Sequence, residues 1–595
     1  MPPALQTAVK RIGQPKVGEN GYTGFHPGKS EVFTAGSKPF GEDTKALTSD
    51  IRLDHDVEVV VRDGVRIYVD VYRPENSNEK IPAILSWSPY GKKYSSLDML
   101  PMTKWHSCVK RSDLSGLEKF EGLDPAIWCP QGYAIVSVDA RGAGNSDGHI
   151  GVQGSQEAED GYDVVEAVAK MDWCNGNIGM AGNSYLAITQ WFVAAQQPPS
   201  LKAIAPWEGL SDMYREQMCR GGWFSMHNFD LITKEILRGH PGSGVEDFAE
   251  MYRRSPTMNS WWRDKRVDMT KIACPVYIRG AEVSGLHTMG SVRAWLEIPH
   301  ENKWIQWGSY QEWFELYSMP ESTTSLTKYF DRYLRGIDNG WERDTPKVRW
   351  ATLKFGDSHP VHDIVLDDFP VPETKYLEFF LSSNGKLSDK TPATVEKVTY
   401  NSEDRNSWVE FTHTFTEPSR LIGLPKATLY VSCDSRDDFV IFVILRKKDK
   451  HGKDMVHLNF PFEAAPIKSV SEIDEKDRHS VNTFAGPMGI LRASHRDIDS
   501  SRSIHPNFPF HPHEKQRKVP PGTIVKLEIG IWALGVDYDA GESVSLRIGG
   551  QNHSAAEFNA WSVPRPEHEL NKGNHTLHLG GEYRSSIILP YVGKS

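Results

Sequence analysis

Cysteine is scarce in this chain, and its spacing excludes the sites that cysteine usually builds. The six cysteines lie far apart and form no CxxC pair, so the sequence predicts neither a structural zinc site nor a disulfide scaffold. Scattered free cysteines are typical of proteins in a reducing compartment. The N-terminal segment MPPALQTAVKRIGQ also lacks the apolar stretch of a secretion signal. We therefore expect a cytoplasmic protein.

Several other patterns are missing, and each absence argues against a class of function. No apolar run reaches 18 residues, so no membrane segment is expected. There is no long basic run and the net charge is −10, which disfavours a nucleic-acid partner. The glycine-rich stretch RGAGNSDG is not followed by Gly-Lys-Ser/Thr, and no GxGxxG fingerprint occurs. We expect a soluble protein that needs no metal or cofactor and whose partner is a small molecule.

The texture of the sequence changes along the 595 residues, a length that predicts several domains. Over 51–206, apolar strands alternate with helical stretches, a pattern typical of a parallel sheet covered on both faces. Helical runs without a strand over 207–271 predict an inserted cap, after which the α/β core resumes over 272–345. Short alternating strands with Gly, Pro and Asp turns over 346–595 predict an all-β jelly roll. Residues 1–50 predict an extended arm that packs on the body or on a partner subunit.

The strongest chemical signal is GMAGNSYLAITQW, residues 179–191. It predicts a strand, a tight turn and a helix, with small residues around Ser184 that permit the sharp turn of a nucleophilic serine. The common G-x-S-x-G string is not matched, because position 186 is leucine. In such a turn the N–H of Tyr185 supplies one oxyanion donor, and Tyr90, in SWSPYGKKY after an earlier strand, is the candidate for the second.

A family resemblance rests on residues spread over the first two hundred positions. They are Pro89-Tyr90, Asp139-Ala140-Arg141-Gly142 with Ser146 and Gly148, Asp160, Trp173, Gly176, Gly179, and Gly182-x-Ser184-Tyr185-Leu186 with Gln190-Trp191. With this set, the chain resembles the cocaine esterase / X-Pro dipeptidyl-peptidase (CocE/NonD) family of α/β-hydrolases over about 55–595. The resemblance implies an α/β-hydrolase core with an inserted helical cap, then a jelly roll. It also implies serine attack on an ester or amide carbonyl, an oxyanion hole from Tyr90 and Tyr185, and homodimers.

The partners of the serine depart from the expected pattern. In an α/β-hydrolase the chain order is serine, acid, histidine. The acid position after the strand PVYIRG holds Val283, with Glu282 one residue early, and a shift of one residue at a strand end turns a side chain to the other face. The histidine position after the last strand holds Glu312, and no histidine occurs between His300 and His359.

Three interpretations remain open. In the first, the roles are exchanged: His287, in SGLHTMG, is the base and Glu312 orients it, since triads are defined by geometry rather than by chain position. In the second, the base is lost, and Ser184, Glu312 and the oxyanion donors serve a non-hydrolytic tailoring enzyme of natural-product biosynthesis: a cyclase, isomerase, pericyclase or C–C lyase. In the third, the protein is a catalytically inactive ligand-binding homologue.

The leading hypothesis is hydrolase-type acyl chemistry through Ser184 on a bulky, largely apolar ester, lactone or amide. An aromatic and methionine-rich cap suits such a ligand. The residues predicted to line the substrate pocket are Trp207, Tyr214, Met218, Trp223, Phe224, His227 and Glu282. Of these, His227 is also an alternative candidate for the base.

Overall fold

The first part of the chain forms a mixed α/β unit around one large sheet. The computed structural model describes residues 6–76, 79–226, 228–478, 481–553 and 570–594. The strands up to residue 366 are β1 (Val9–Arg11), β2 (Ser30–Phe33), β3 (Ile51–Val60), β4 (Arg66–Pro74), β5 (Ile81–Ser88), β6 (Ala134–Asp139), β7 (Cys174–Asn183), β8 (Leu201–Trp207), β9 (Gly244–Glu246), β10 (Val276–Ala281), β11 (Lys303–Gly308), β12 (Val348–Thr352) and β13 (Val361–Leu366). The helices are α1 (Ser96–Met99), α2 (Pro125–Trp128), α3 (Ser155–Ala169), α4 (Tyr185–Ala194), α5 (Phe229–Leu231), α6 (Phe248–Arg254), α7 (Ser260–Asp264), α8 (Thr288–Glu297), α9 (Glu312–Tyr317), α10 (Pro320–Leu334) and α11 (Trp341–Asp344).

Eleven of these strands form one sheet, in the order β13-β12-β11-β10-β8-β7-β5-β6-β4-β3-β2. The seven strands from β12 to β6 in this order run parallel, and the strands outside them are antiparallel. Helices α3, α4 and α8 pack on one face, and α2 and α10 pack on the other. Because both faces are covered, the central strands β5, β6 and β10 are buried along their whole length, as expected for a parallel sheet of this kind.

The central strands end at the same level of the sheet. Asn183 at the end of β7 pairs with Trp207 at the end of β8, and Ala281 at the end of β10 pairs with Gly308 at the end of β11. Loops that follow the carboxyl ends of parallel strands gather at one edge, where α/β proteins bind ligands. The segments after β5, β7, β8, β10 and β11 therefore open towards one space.

The segment between β8 and β10 folds mainly into short helices, including π-helical turns at Met213–Met218 and Ile232–Ile236. The prediction of a cap without strands was wrong in one place, because β9 pairs antiparallel with β1 of the N-terminal arm. A three-residue strand has no recognisable sequence pattern of its own, and this one exists because the arm supplies its partner. The arm also adds β2 to the edge of the large sheet, so it packs on the body of its own chain.

The rest of the chain is an all-β unit, as predicted. Its strands are β14 (Lys375–Ser382), β15 (Lys386–Ser388), β16 (Glu396–Asn401), β17 (Trp408–Thr414), β18 (Ser419–Gly423), β19 (Lys426–Cys433), β20 (Val440–Lys448), β21 (His457–Leu458), β22 (Thr483–Phe484), β23 (Met488–Arg492), β24 (Val525–Gly530), β25 (Leu534–Tyr538), β26 (Ser543–Gly549), β27 (Asn574–Leu579) and β28 (Ser586–Gly593). Thirteen of them pair into one mainly antiparallel network with an apolar interior, while β21 and β22 form a separate pair.

The limits of the domains stay predictions. Strands β12 and β13 belong to the large sheet although they lie beyond residue 345, the predicted end of the core. Within the described ranges, no helix is both long enough and apolar enough to cross a bilayer.

Candidate active site

Ser184 occupies a strained turn between β7 and α4. Its backbone φ is 52° and its ψ is −118°. Residues other than glycine rarely adopt such angles, but a nucleophile elbow imposes them. The Ser184 N–H donates to the main-chain carbonyls of Trp207 and Glu208, at 3.2 Å each. Two residues earlier, a Cβ on Gly182 would lie 2.6 Å from the main-chain oxygen of Glu121, so the turn requires glycine there. Backbone contacts around the turn therefore keep Ser184 in its strained conformation.

A chain of hydrogen bonds links this serine to an imidazole and a carboxylate. The Ser184 Oγ lies 3.3 Å from His287 Nε2, and His287 Nδ1 lies 3.1 Å from Glu312 Oε2. Both His287 and Glu312 are buried. When the Nδ1–H donates to the carboxylate, Nε2 carries a free lone pair that accepts the serine proton. The hydroxyl of Ser284 also lies 3.0 Å from Nδ1, on the same side of the ring.

Two loops at the sheet edge place these side chains. His287 immediately precedes α8, whose first residue, Thr288, donates its hydroxyl to the carbonyl of Ala281 at 2.8 Å. Glu312 begins α9, and its main-chain carbonyl accepts a hydrogen bond of 2.8 Å from the Asn183 side chain. Each loop is thus tied to a strand end, one to its own strand and the other to the residue before the serine.

Tyr90 and Tyr185 lie beside the serine, where the sequence places the oxyanion donors. The Tyr90 phenol is buried, and burial raises its pKa well above the usual value although the adjacent Ser184 opposes this. The phenol therefore keeps its proton and remains a donor. The ring of Tyr185 packs edge-on against Tyr90 at 5.7 Å, and its hydroxyl donates to both oxygens of Glu157 at 3.0 and 3.1 Å. Its side chain is thus anchored away from the cavity, while its backbone N–H stands next to Ser184.

The serine opens into a cavity of about 740 Å³. Apolar side chains from the core and from the segment after Asn228 cover much of its wall, whereas the polar lining is concentrated around Ser184. The lining residues are Tyr90, Met99, Phe120, Glu121, Ser184, Glu208, Asn228, Leu231, Ile232, Ile236, Val283, Ser284, Gly285, Leu286, His287, Gln311, Glu312, Trp313 and Val481. Among these described residues there are three glutamates and no lysine or arginine.

Two of these glutamates, Glu121 and Glu208, were missed by sequence reasoning. Both are almost fully buried and adopt positive φ values of 69° and 54°. Burial raises the pKa of each well above its usual range, and the charge of Glu312 raises it further. Trp313 donates its indole N–H to Glu121 at 3.2 Å, and Ser184 and the Tyr185 N–H lie close enough to lower the pKa of this carboxyl. Burial and the charge of Glu312 therefore both favour the protonated form of these two carboxyl groups.

One signal could have found Glu208 but none points to Glu121. Glu208 directly follows β8, and polar residues directly after a parallel strand are candidates for the ligand edge of the sheet. Glu121 belongs to an irregular segment between α1 and α2, where neither a periodic pattern nor a motif marks it. Its approach to Ser184 depends on the backbone contact between its carbonyl and the Asn183 N–H, at 2.9 Å.

The predicted substrate-pocket residues require a correction, because the six that the structure describes do not line this cavity. Tyr214, Met218 and Phe224 belong to the apolar interior of the cap. Trp207 packs edge-on against Tyr277 at 5.9 Å. The π-helical turns direct different residues inwards from those that a regular helix would present, and the cap reaches the cavity through the residues after Asn228.

Two other predicted pocket residues, Trp223 and Glu282, contact the all-β unit instead. Trp223 packs on Phe442 of the all-β unit at 5.2 Å, and Glu282 accepts a hydrogen bond of 3.0 Å from the Gly535 N–H. Both therefore serve the contact between the two halves of the chain. His227, the alternative base, lies outside the described residues.

Comparison with known proteins covers both halves of the chain. Residues 63–240 match the profile of the X-Pro dipeptidyl-peptidase (S15 family), and residues 339–588 match the X-Pro dipeptidyl-peptidase C-terminal non-catalytic domain. A solved CocE/NonD family hydrolase from Staphylococcus aureus is 30% identical and superposes with a TM-score of 0.82, over 98% of this chain and 99% of that one. The chain belongs to the CocE/X-Pro dipeptidyl-peptidase family. The predicted family and fold class are thereby confirmed.

Another CocE-family relative is the cocaine esterase of Rhodococcus sp., 26% identical over 390 residues. This match covers 56% of the present chain and 63% of the esterase, so the chain spans less than two thirds of that relative's length. Members of the family are esterases and dipeptidyl-peptidases, which are serine hydrolases that act on acyl groups. Family membership supports an enzyme of this general class. The particular reaction of this chain has to be argued from its own residues.

Proposed function

We propose that this protein is a serine hydrolase that cleaves an ester, lactone or amide of a bulky, largely apolar small molecule. The observation that carries the proposal is the continuous hydrogen-bonded relay from Ser184 through His287 to Glu312, with separations of 3.3 and 3.1 Å. A serine hydroxyl is a weak nucleophile without a base, and this relay supplies one. The roles of the two loops are exchanged, but the geometry that each role needs is available.

In the proposed first step, His287 Nε2 takes the Ser184 proton as the oxygen attacks the substrate carbonyl. Glu312 accepts the Nδ1–H and stabilises the imidazolium that forms. The oxyanion develops between the Tyr90 hydroxyl and the Tyr185 N–H, which donate to it. Preorganised donors of this kind stabilise the tetrahedral state more than the ground state.

In the following steps the imidazolium gives its proton to the leaving alcohol or amine, and the acyl group remains on Ser184. Water then attacks the acyl-enzyme with His287 as its base, and the acid is released. Glu121 lies near Ser184 and the Tyr185 N–H, and burial raises the pKa of its carboxyl. In its protonated form this group would donate to the oxyanion as well.

The substrate class follows from the cavity wall. Met99, Phe120, Leu231, Ile232 and Ile236 offer a broad apolar surface beside the serine. Such a wall favours a hydrophobic acyl or alcohol group over a charged one.

Trapping of the acyl-enzyme nucleophile tests this proposal. We expect a fluorophosphonate to add once to the wild-type chain, by intact mass, and p-nitrophenyl esters of hydrophobic acids to be hydrolysed. Ser184→Ala should lose both the adduct and the turnover. Ser137→Ala is the matched control, because Ser137 is also a buried serine of the core sheet and its hydroxyl has no partner. Hydrolysis by Ser184→Ala at more than a tenth of the wild-type rate would contradict the nucleophile.

A non-hydrolytic tailoring enzyme is the second candidate, and one observation favours it. Glu121 and Glu208 are buried carboxyl groups of the same cavity whose pKa values are raised, which favours their protonated form, and serine hydrolysis does not require such proton donors. Acid-assisted cyclisation or isomerisation would use them with the oxyanion donors. In that case Glu121→Gln would abolish conversion of the true substrate, whereas Ser184→Ala would keep it and no adduct would form. A chain that binds ligands in every variant without any turnover would be the inactive homologue.

A further inference from the structure

Glu208 is a buried carboxylate that the serine relay does not use. It is 1% exposed, and neither of its carboxyl oxygens has a hydrogen-bond partner among the described residues. Its carbonyl accepts from the Ser184 N–H, but the side chain has no part in that contact. Buried carboxyl groups are normally hydrogen-bonded, paired or bound to a metal ion. An orphaned carboxyl group that lines a cavity therefore points to a ligand.

The neighbours of Glu208 complete a set of metal-ligand atoms. One ligand atom each from Glu208, His287 and Glu312 lie within 4.8 Å of one another. In a tetrahedral site with bonds of about 2.1 Å, ligand atoms are roughly 3.4 Å apart. His287 Nδ1 and Glu312 Oε2 are already separated by 3.1 Å. The ligand atom of Glu208 lies within 4.8 Å of the other two, so side-chain adjustment on binding would have to bring it to the spacing of a tetrahedral site.

Among the described lining residues, a bound cation would meet no competing basic side chain other than His287. The described lining contains three glutamates and one histidine, with no lysine or arginine. The nearby Arg279 is engaged with Glu315, at 2.5 Å. Without a metal ion, burial and the charge of Glu312 favour the protonated form of Glu208 by raising its pKa. A divalent cation would displace that proton and pair with the carboxylates of Glu208 and Glu312.

We propose that Glu208, His287 and Glu312 bind one divalent transition-metal ion of the Zn²⁺ type, and that this ion switches the hydrolase off. Binding rests on the ligand set alone, whereas inhibition rests on the proposed function. Both imidazole nitrogens serve the relay, one towards Ser184 and one towards Glu312. Coordination through either nitrogen therefore removes the base.

The donor types select the class of metal. Two carboxylates and one imidazole suit Zn²⁺, Co²⁺, Mn²⁺ or Fe²⁺, and three protein ligands leave a position for water. Mg²⁺ and Ca²⁺ prefer oxygen-only sites with six or more ligands. We expect Mg²⁺ at the same concentration to leave Zn²⁺ binding unchanged.

A binding experiment tests the site without any activity. The full chain, stripped with EDTA, is titrated with Zn²⁺ by calorimetry and with Co²⁺ by visible absorption. We expect one equivalent and a tetrahedral Co²⁺ spectrum for the wild type. Glu208→Gln keeps the side-chain volume and should weaken both metals at least tenfold. Glu282→Gln is the matched control, since Glu282 is another buried carboxylate with an unpartnered oxygen but lies outside the ligand set.

Thermal unfolding without metal checks that both variants are folded. If Glu208→Gln does not fold, His287→Gln tests the same ligand set with the same readout. Wild-type affinity in Glu208→Gln, or the absence of a stoichiometric site in the wild type, would overturn the proposal. So would tight binding of benzylamine without Co²⁺ binding, because that result would assign the acidic cluster to an organic ammonium ion.

An activity experiment tests the switch. We expect Zn²⁺ to inhibit ester hydrolysis by the wild type and by Glu282→Gln with the concentration dependence found by calorimetry. With each rate taken relative to the same variant's metal-free rate, Glu208→Gln should need at least tenfold more Zn²⁺ for half inhibition. Equal sensitivity of both variants would overturn the switch. Metal binding in a chain that hydrolyses nothing would keep the metal site and contradict the proposed function, so the two failures are distinct.

Discussion

The loops after β10 and β11 occupy equivalent places at the edge of the sheet but carry the opposite chemistry from the usual order. The first supplies His287 where an acid is expected, and the second supplies Glu312 where a histidine is expected. Their strand ends, Ala281 and Gly308, are direct register partners. Because the loops start side by side, an imidazole from one and a carboxylate from the other can exchange places without moving the serine. Position in space, rather than order in the chain, decides the role.

In the loop after β10, the position that usually carries the acid makes a structural contact with the all-β unit. Val283 is 3% exposed and packs into the apolar interior shared with the all-β unit. Its neighbour Glu282 holds the Gly535 N–H of the same unit. These two positions therefore connect the core to the second unit, and His287, the proposed base, lies four residues beyond Val283.

Among the tests of the two loops, removal of the His287 imidazole should lower the activity most. We expect His287→Ala to lower kcat/KM for hydrophobic esters by about 10⁴-fold or more, since the serine then lacks its base. His300→Ala, at a half-buried histidine outside the cavity lining, should change it by less than about twofold. Steady-state hydrolysis measures both variants. More than a tenth of wild-type activity in His287→Ala would show that the two loops do not exchange roles.

Loss of the carboxylate in the second loop should come next. We expect Glu312→Gln to lower kcat by about 10³–10⁴-fold, because the amide no longer holds the Nδ1–H tautomer. Val283 both lines the cavity and packs against the all-β unit. We expect Val283→Asp in this background not to restore activity, because an acid at 283 would disrupt that apolar contact. The double variant thus tests whether the usual acid position is still usable. Recovery of turnover would mean that the first loop retains that role.

Removal of the Tyr90 hydroxyl, the proposed oxyanion donor, should lower the activity less. This result would not distinguish between the two loops. We expect Tyr90→Phe to lower kcat by about 10²-fold with little change in KM, as its hydroxyl would act mainly in the transition state. Tyr94→Phe is the control, because its hydroxyl donates to Met99 Sδ and not towards the serine. Equal effects of the two substitutions on kcat would argue against a role for Tyr90 in the oxyanion hole.

The smallest expected effect concerns stability and its dependence on pH. The pKa of Glu208 is raised in the folded state by burial and then by Glu312, so the unfolded chain binds fewer protons above about pH 4.3, the ordinary value. Wild-type stability therefore falls as the pH rises from there towards the folded pKa. We expect Glu208→Gln to raise the apparent Tm by about 2–4 °C at pH 8 and by much less at pH 5, in metal-free buffer. Calorimetric scans at both pH values measure this difference, and the exposed Glu321→Gln should show none.

Much of the fold could be predicted because its signals are local. Apolar runs and small residues predict the strand, turn and helix around Ser184. The position of Tyr90 just after β5 predicts that it lies at the same edge of the sheet. The proximity of His287 and Glu312 was also predicted, since both follow strands of one parallel sheet. Their catalytic roles stay predictions, as do the cytoplasmic location and the homodimer.

The lining of the cavity could not be predicted, for physical reasons. The cap uses π-helical turns and very short helices, so periodicity does not tell which side chains point inwards. Glu121 and Glu208 reach the cavity through positive φ values, which residue type does not reveal for glutamate. The candidate metal ligands come from three separate loops, and spacing along the chain reveals only sites whose ligands lie close in sequence.

The backbone contacts of Ser184 have a consequence for how this pocket can be altered. The main-chain carbonyls of Glu121 and Glu208 support the turn, because they accept from the N–H groups of Asn183 and Ser184. Any side chain at these two positions can keep those contacts, and glycine or asparagine would tolerate the positive φ best. Evolution or a saturation library can therefore vary the acidity of the cavity at two sites while the nucleophile stays where it is.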